Sequence, residues 1–141
     1  MIWMKKTNLR AMFTQEAANE LPFFIFLTLV LGGISTLTIL NSPALRDPLR
    51  MASFIVLVIA HIALYWLSVF LVGSLRRTLT YLVLQGLLAF GLNLLGSNLA
   101  LIFGLYMGLI GISAGLLRLT RWGIAMIACY LGLSALSYFL L

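Results

Sequence analysis

LALIFGLYMGLIGISAGLL, residues 99 to 117, decides how this chain folds. It contains no charged side chain, and about 19 residues of helix at 1.5 Å each match a hydrocarbon core about 30 Å thick. Glycines at 104, 108, 111 and 115 recur along it. Glycines at that density can cradle a phosphate, approach a ligand, or let two helices touch. A phosphate loop inside so apolar a stretch would leave its backbone donors stranded in lipid, so the stretch reads as a membrane-spanning helix. On a helix, Gly104, Gly108, Gly111 and Gly115 follow i, i+4, i+7, i+11 and form one groove, which Ala100 extends by a turn. Overlapping small-xxx-small pairs of this kind are a helix-packing face.

Four more apolar runs surround it. LPFFIFLTLVLGGISTLTIL (21 to 40) and MASFIVLVIAHIALYWLSVFLVG (51 to 73) precede it, with TLTYLVLQGLLAFGLNLL (78 to 95) directly before it and WGIAMIACYLGLSALSYFLL (122 to 141) after it. The composition agrees: 63% of the 141 residues are hydrophobic, 9% are charged, and the mean hydropathy is +1.15. A soluble domain of this length cannot hide that much apolar surface. The expected fold is therefore an all-α integral membrane protein, an antiparallel bundle of five transmembrane helices over residues 21 to 141, joined by short loops.

The connections supply the punctuation. NSPALRDPLR (41 to 50) is polar, with Asp47 as an N-cap and Pro48 at the first helical position. SLRR and Gly96-Ser97-Asn98 are tight turns, the latter offering Ser97 or Asn98 as the next cap, and RLTR separates the last two spans. Residues 1 to 20 form a cytoplasmic or interfacial segment. There Ile2, Met4, Leu9, Met12 and Phe13 interleave with Lys5, Lys6 and Arg10, as in a short helix lying at the headgroup level. Asn19-Glu20-Leu21-Pro22 is expected to break the chain before the first span. That span lacks a small-x-small cleavage site, which argues against a removed signal peptide.

The basic residues set the orientation. With the N-terminus inside, Lys5, Lys6, Arg10, Arg76, Arg77, Arg118 and Arg121 face inward and only Arg46 and Arg50 face outward, seven against two. An N-in chain in a bacterial inner membrane is the expectation, with Trp3, Trp66, Trp122 and Tyr138 near the interfaces. The net charge of +6 thereby reads as topology signal and anionic-lipid contact rather than nucleic-acid binding. Arg76, Arg77, Arg118 and Arg121 share the inner interface, where they anchor the helices or hold an anionic headgroup or a partner.

Catalytic constellations are missing from the sequence. The spans contain no Asp, Glu, Lys or Arg, and Glu16, Glu20 and Asp47 are peripheral. No nucleophile elbow, zinc or nucleotide-binding signature occurs, no cofactor is expected, and the lone Cys129 allows no internal disulfide. The intramembrane polar residues are the remaining candidates. His61 shares a helical face with Tyr65 and Ser68, which suits an interhelical hydrogen bond or a sensing contact. Gln85 and Asn93 lie eight positions apart beside Gly86 and Ala89, so that face points at protein or a small wet cavity. Thr28, Gly32 and Ser35 in the first span, and Ala128, Gly132 and Ala135 in the last, read as further packing faces.

AHIALYWLSV (60 to 69), RRTLTYLVLQGLLAFGLNLL (76 to 95) and LIFGLYMGLIGISAGLL (101 to 117), followed by Arg118 and another span, together resemble the N-terminal membrane region of bacterial sensor histidine kinases with NarL-type partners. The resemblance covers roughly residues 20 to 141 and rests on hydrophobic phrasing. It implies a signal-input region, dimeric, cut before the dimerisation helix and ATP-binding half; a cytoplasmic kinase would need a sixth span after Leu141. His61, inside a span, is no phosphoacceptor. Ile112 stands where such sequences often place a carboxylate after the glycine, so the resemblance brings no proton-linked role to that position. The alternative is a small polytopic accessory subunit of a larger membrane complex. Either way the expected partners are membrane lipids and a second membrane protein, as homodimer or assembly. A repeat-built transporter half is disfavoured, since neither an internal repeat nor a charge-bearing broken helix is visible.

Overall fold

A computed structural model describes the backbone of residues 9–71 and 73–141, with side chains from residue 21 onward. Among the described residues the chain is all helical, without strands. The helices are α1 (Leu9–Asn41), α2 (Pro48–Leu71), α3 (Leu75–Gly96), α4 (Leu99–Leu117) and α5 (Arg121–Leu140), with a 3-10 turn over Pro43–Arg46. Five segments are long and apolar enough to cross a membrane: Leu21–Asn41 of α1 and the whole of the other four helices.

Helix α1 departs from expectation. It runs unbroken through Pro22 from Leu9, so residues 9–20 continue the helix of the first span without the break expected at residues 19 to 22. Proline removes one ladder donor and crowds the carbonyl four residues back, and here that single loss falls at the boundary of the apolar stretch. Residues 1–8, with Ile2, Trp3, Met4, Lys5 and Lys6, lie outside the described residues.

The caps explain where the other helices begin and end. The Asp47 carboxylate accepts the Arg50 backbone N–H at 3.0 Å and starts α2 at Pro48, as the sequence indicates. Ser74 caps α3 by accepting from the Arg77 N–H, which places Arg76 and Arg77 in the first helical turn and not in a loop. Ser97 closes α3 in the left-handed region (φ 47°, ψ 48°), leaving Asn98 alone to cap α4, its Oδ1 accepting from the Ala100 N–H at 2.9 Å. At the α4–α5 corner Thr120 donates to the Leu117 carbonyl (2.7 Å) and accepts from the Gly123 N–H (3.3 Å).

Each helix packs against the next in sequence, as short connections require, while α1 also meets α4 and α3 also meets α5. Helix α3 is the most buried, flanked by α2, α4 and α5. Its inward face carries Tyr81, Leu82, Gln85, Ala89, Leu92 and Asn93, each no more than 4% exposed. Large apolar side chains such as Leu29, Val56, Phe70, Phe103 and Phe139 point outward, the pattern of a bundle whose solvent is lipid.

Candidate functional site

Opposite ends of the bundle are built differently. At the end holding the α1–α2 and α3–α4 connections, polar contacts cross between elements. Ser42 Oγ donates to the Gly96 carbonyl at 2.7 Å, Asn98 Nδ2 donates to Thr38 Oγ1 at 3.2 Å, and the Arg50 guanidinium donates to the Leu94 carbonyl at 3.0 Å. Gly96 is packed so closely that a Cβ there would lie 2.9 Å from Leu101 Cδ2, 3.0 Å from Phe54 Cε2 and 3.1 Å from Thr38 Cγ2. Phe54, Leu101 and Thr38 are themselves fully buried.

The buried interior holds the polar residues expected from the sequence, with His61 and Gln85 at mid-helix and Asn93 three residues from the end of α3. Gln85 Nε2 donates to the His61 backbone carbonyl at 3.2 Å and to the Tyr81 hydroxyl at 3.3 Å, tying α3 to α2. His61 is buried, and its ring meets Tyr65 edge-on at 5.0 Å, so the interhelical bond at this position uses the backbone rather than the imidazole. Asn93 is likewise buried on α3. Six buried polar atoms here have no partner among the described residues: both His61 ring nitrogens, Gln85 Oε1, both Asn93 amide atoms and Ser113 Oγ. Leaving a buried polar group unpaired costs about 1 to 3 kcal/mol. Two tyrosines on the other side of α3 are satisfied. Tyr130 donates to the Leu82 carbonyl at 2.5 Å, crossing over Gly86, where a Cβ would meet its ring at 2.9 Å, and Tyr106 pairs with Ser137 at 3.2 Å.

The glycines of α4 divide into two pairs. Gly104 faces α1, where Ile34 Cδ1 would lie 2.6 Å from an added Cβ, and Gly108 faces the Tyr65 hydroxyl of α2. These two touch helices of this chain. Gly111 and Gly115 meet nothing within 4 Å, and Ala100 is exposed, so the continuous groove read from the spacing is filled over only part of its length. Beside Gly111 and Gly115 opens a cleft of about 400 Å³. Phe23 and Phe24 of α1, Tyr65 and Ser68 of α2, and Tyr81 of α3 form its other walls. Tyr65 and Tyr81 sit six residues from the near ends of their helices, about 9 Å deep. Trp66 braces one wall, its indole N–H donating to Thr28 Oγ1 at 3.0 Å and its ring 5.7 Å from that of Phe24.

All of this lies at the end that carries the four candidate arginines, but they do not form one cluster. Arg76 and Arg77 flank a separate crevice of about 440 Å³ with Phe70 and Thr80. Arg118 borders a third, between the α2–α3 and α4–α5 corners, and the Arg121 guanidinium sits 5.4 Å from the Trp122 ring centre. The last of the small-residue faces turns away from the bundle: Ala128, Gly132 and Ala135 are exposed on α5, and Gly132 has nothing within 4 Å. Among the described residues no group of three or more His, Cys, Asp or Glu is placed to hold a metal.

Sequence reasoning missed Gly96 and Gly123 as points of closest approach. A Cβ on Gly123 would stand 2.1 Å from the Arg118 carbonyl oxygen. The available signal was a glycine in the first turn after a capping threonine. Set against the known protein families, the curated proteins and the solved structures, the chain matches none of them.

Proposed function

We propose that the chain is the signal-input region of a two-component sensor histidine kinase, multi-pass in a bacterial cytoplasmic membrane with its N-terminus inside. The observation that carries this reading is the under-paired interior. Six orphan polar atoms on His61, Gln85, Asn93 and Ser113 are buried along α2, α3 and α4. A helix arrangement that pairs some of them would regain about 1 to 3 kcal/mol each. That is the scale of coupling energy needed to change an output several-fold. Bilayer thickness, lipid packing or a small hydrophobic ligand would favour one arrangement over another by its differential interaction with the two. The seven-to-two distribution of basic residues supports the orientation.

The test joins residues 1 to 141 through an added span to a kinase half and follows autophosphorylation in bilayers of two thicknesses. Output is expected to differ between the bilayers, and Asn93→Leu, which removes two of the orphan atoms, is expected to hold it at one level. Equal output in both bilayers for the unaltered chain would defeat the reading.

A second reading, an accessory subunit in a larger membrane assembly, draws on the outward Ala128, Gly132 and Ala135 face, since small residues at i, i+4, i+7 allow close approach of another helix. The same face would serve a homodimer. Cys129 is exposed beside it, so oxidative cross-linking in native membranes separates the two. A self-adduct supports the dimeric input region, and an adduct with a different chain supports the subunit.

A further inference from the structure

We infer that the cleft walled by α1, α2, α3 and α4 binds an uncharged amphipathic molecule whose head carries a carbonyl-type hydrogen-bond acceptor. The donors come first. Tyr65 is 3% exposed, lines the cleft, places its hydroxyl over Gly108, and has no partner for that hydroxyl among the described residues. Tyr81, 2% exposed, lines the same cleft; its oxygen accepts from Gln85, and its hydroxyl lies beside that of Ser68 on the cleft wall. Ser68 directs its hydrogen to the Tyr65 carbonyl at 2.6 Å. The Tyr65 and Tyr81 hydroxyls open onto the cleft from facing walls, so an acceptor held between them would gain hydrogen bonds in a site that is otherwise largely apolar.

The charge of the ligand follows from the walls. Among the described residues no charged side chain lines this cleft, and the arginines border other crevices. An ionised head would be desolvated here without a counter-charge, a heavier penalty than two hydrogen bonds offset. The floor and sides set the shape. Gly111 and Gly115 leave open the space a Cβ would take, while Phe23, Phe24, Ile112 and Leu116 present apolar surface to the body of the molecule. A volume of about 400 Å³ falls in the usual range for small-ligand sites, roughly 300 to 1,000 Å³. The required chemistry, a neutral carbonyl on an apolar body, is shared by membrane quinones and by the ester head of a diacylglycerol. The inference stands apart from the signalling role, since it is read on this chain with no kinase attached.

The experiment uses the full chain in detergent micelles and measures equilibrium binding of three probes: a short-chain benzoquinone, a short-chain diacylglycerol and a short-chain phosphatidylglycerol. One of the two neutral probes is expected to bind saturably, identifying the source, with the anionic one at least tenfold weaker. Tyr65→Phe and Tyr81→Phe are each expected to weaken binding roughly two- to tenfold, the worth of one hydrogen bond. Gly115→Leu, which fills the floor from an open position, is expected to abolish it. Saturable binding of neither neutral probe, parent-like affinity in both tyrosine variants, or phosphatidylglycerol binding as tightly as the neutral probes would overturn the proposal. Should Gly115→Leu not fold, the tyrosine pair and the probe comparison still decide.

Discussion

Replacing Gly123 by alanine tests the tightest junction in the bundle. Gly123 is the third residue of α5, and an alanine Cβ would lie 2.1 Å from the Arg118 carbonyl oxygen and 3.3 Å from Leu117 Cβ. Relief requires a displacement of about 1 Å, and the obstructing atom is backbone, so no rotamer change provides it. Arg118 is itself held at φ 53°, a region L residues seldom occupy, which leaves the corner little freedom to yield. Forcing backbone shifts of this kind costs about 1 to 3 kcal/mol. Moving Gly123 also pulls its N–H from Thr120 Oγ1, a cap worth about 1 kcal/mol. Together these give a loss of roughly 2 to 4 kcal/mol, a folded-to-unfolded ratio lower by roughly 30- to 700-fold. The assay is equilibrium unfolding in mixed micelles, raising the fraction of a denaturing detergent and following helix content by circular dichroism. Gly132→Ala, inside the same helix with nothing within 4 Å, is the control and should match the parent or gain up to about 1 kcal/mol from alanine's higher helix propensity. Parent-like unfolding of Gly123→Ala, or an equal loss in Gly132→Ala, would refute the close-approach reasoning.

Other outcomes can be read in the same unfolding assay. Gly96→Ala drives a methyl among three buried side chains and should cost about 1 to 3 kcal/mol. Asn93→Leu removes two unpaired buried polar atoms in exchange for apolar surface and should stabilise by about 1 to 3 kcal/mol; destabilisation would mean that the amide is paired in the membrane. Tyr130→Phe deletes the hydroxyl that reaches the Leu82 carbonyl across α3 and should cost about 0.5 to 1.5 kcal/mol, whereas Tyr138→Phe, on an exposed side chain, should cost nothing measurable.

The five apolar helices were legible because lipid-compatible helices announce themselves through length and hydropathy, with no need to know their neighbours. The inward face of α3 was legible too, since Gln85 and Asn93 are amides that lipid would reject. What spacing could not supply was the identity of the neighbour. Gly104 and Gly111 are equivalent members of one periodic stripe, yet one meets Ile34 and the other faces a cleft, a difference made by α1 and invisible within α4. The small face of α5 carries the same pattern and points outward. Continuity of α1 through Pro22 was hidden for another reason: a proline costs one ladder bond, which a long helix can absorb near the edge of its apolar run. The arginine pair at 76 and 77 reads as part of a turn because a serine cap two residues earlier reads equally well as loop.

The polar ties through Ser42, Arg50 and Asn98 gather at one end of the bundle, and the cleft lies toward the other. Mechanically this is a set of beams clamped at one root and joined at the tip by the α2–α3 and α4–α5 corners and the Trp66–Thr28 contact. Equal angular play in every helix then produces displacement that grows with distance from the clamp: a tilt of about 5° over a lever of about 25 Å moves the tip by about 2 Å. Under the proposed signalling role, the clamp would direct such travel to the tip, the end bearing Arg76, Arg77, Arg118 and Arg121. Cutting the root, as Ser42→Ala with Arg50→Ala would do, should make that travel less directed rather than larger.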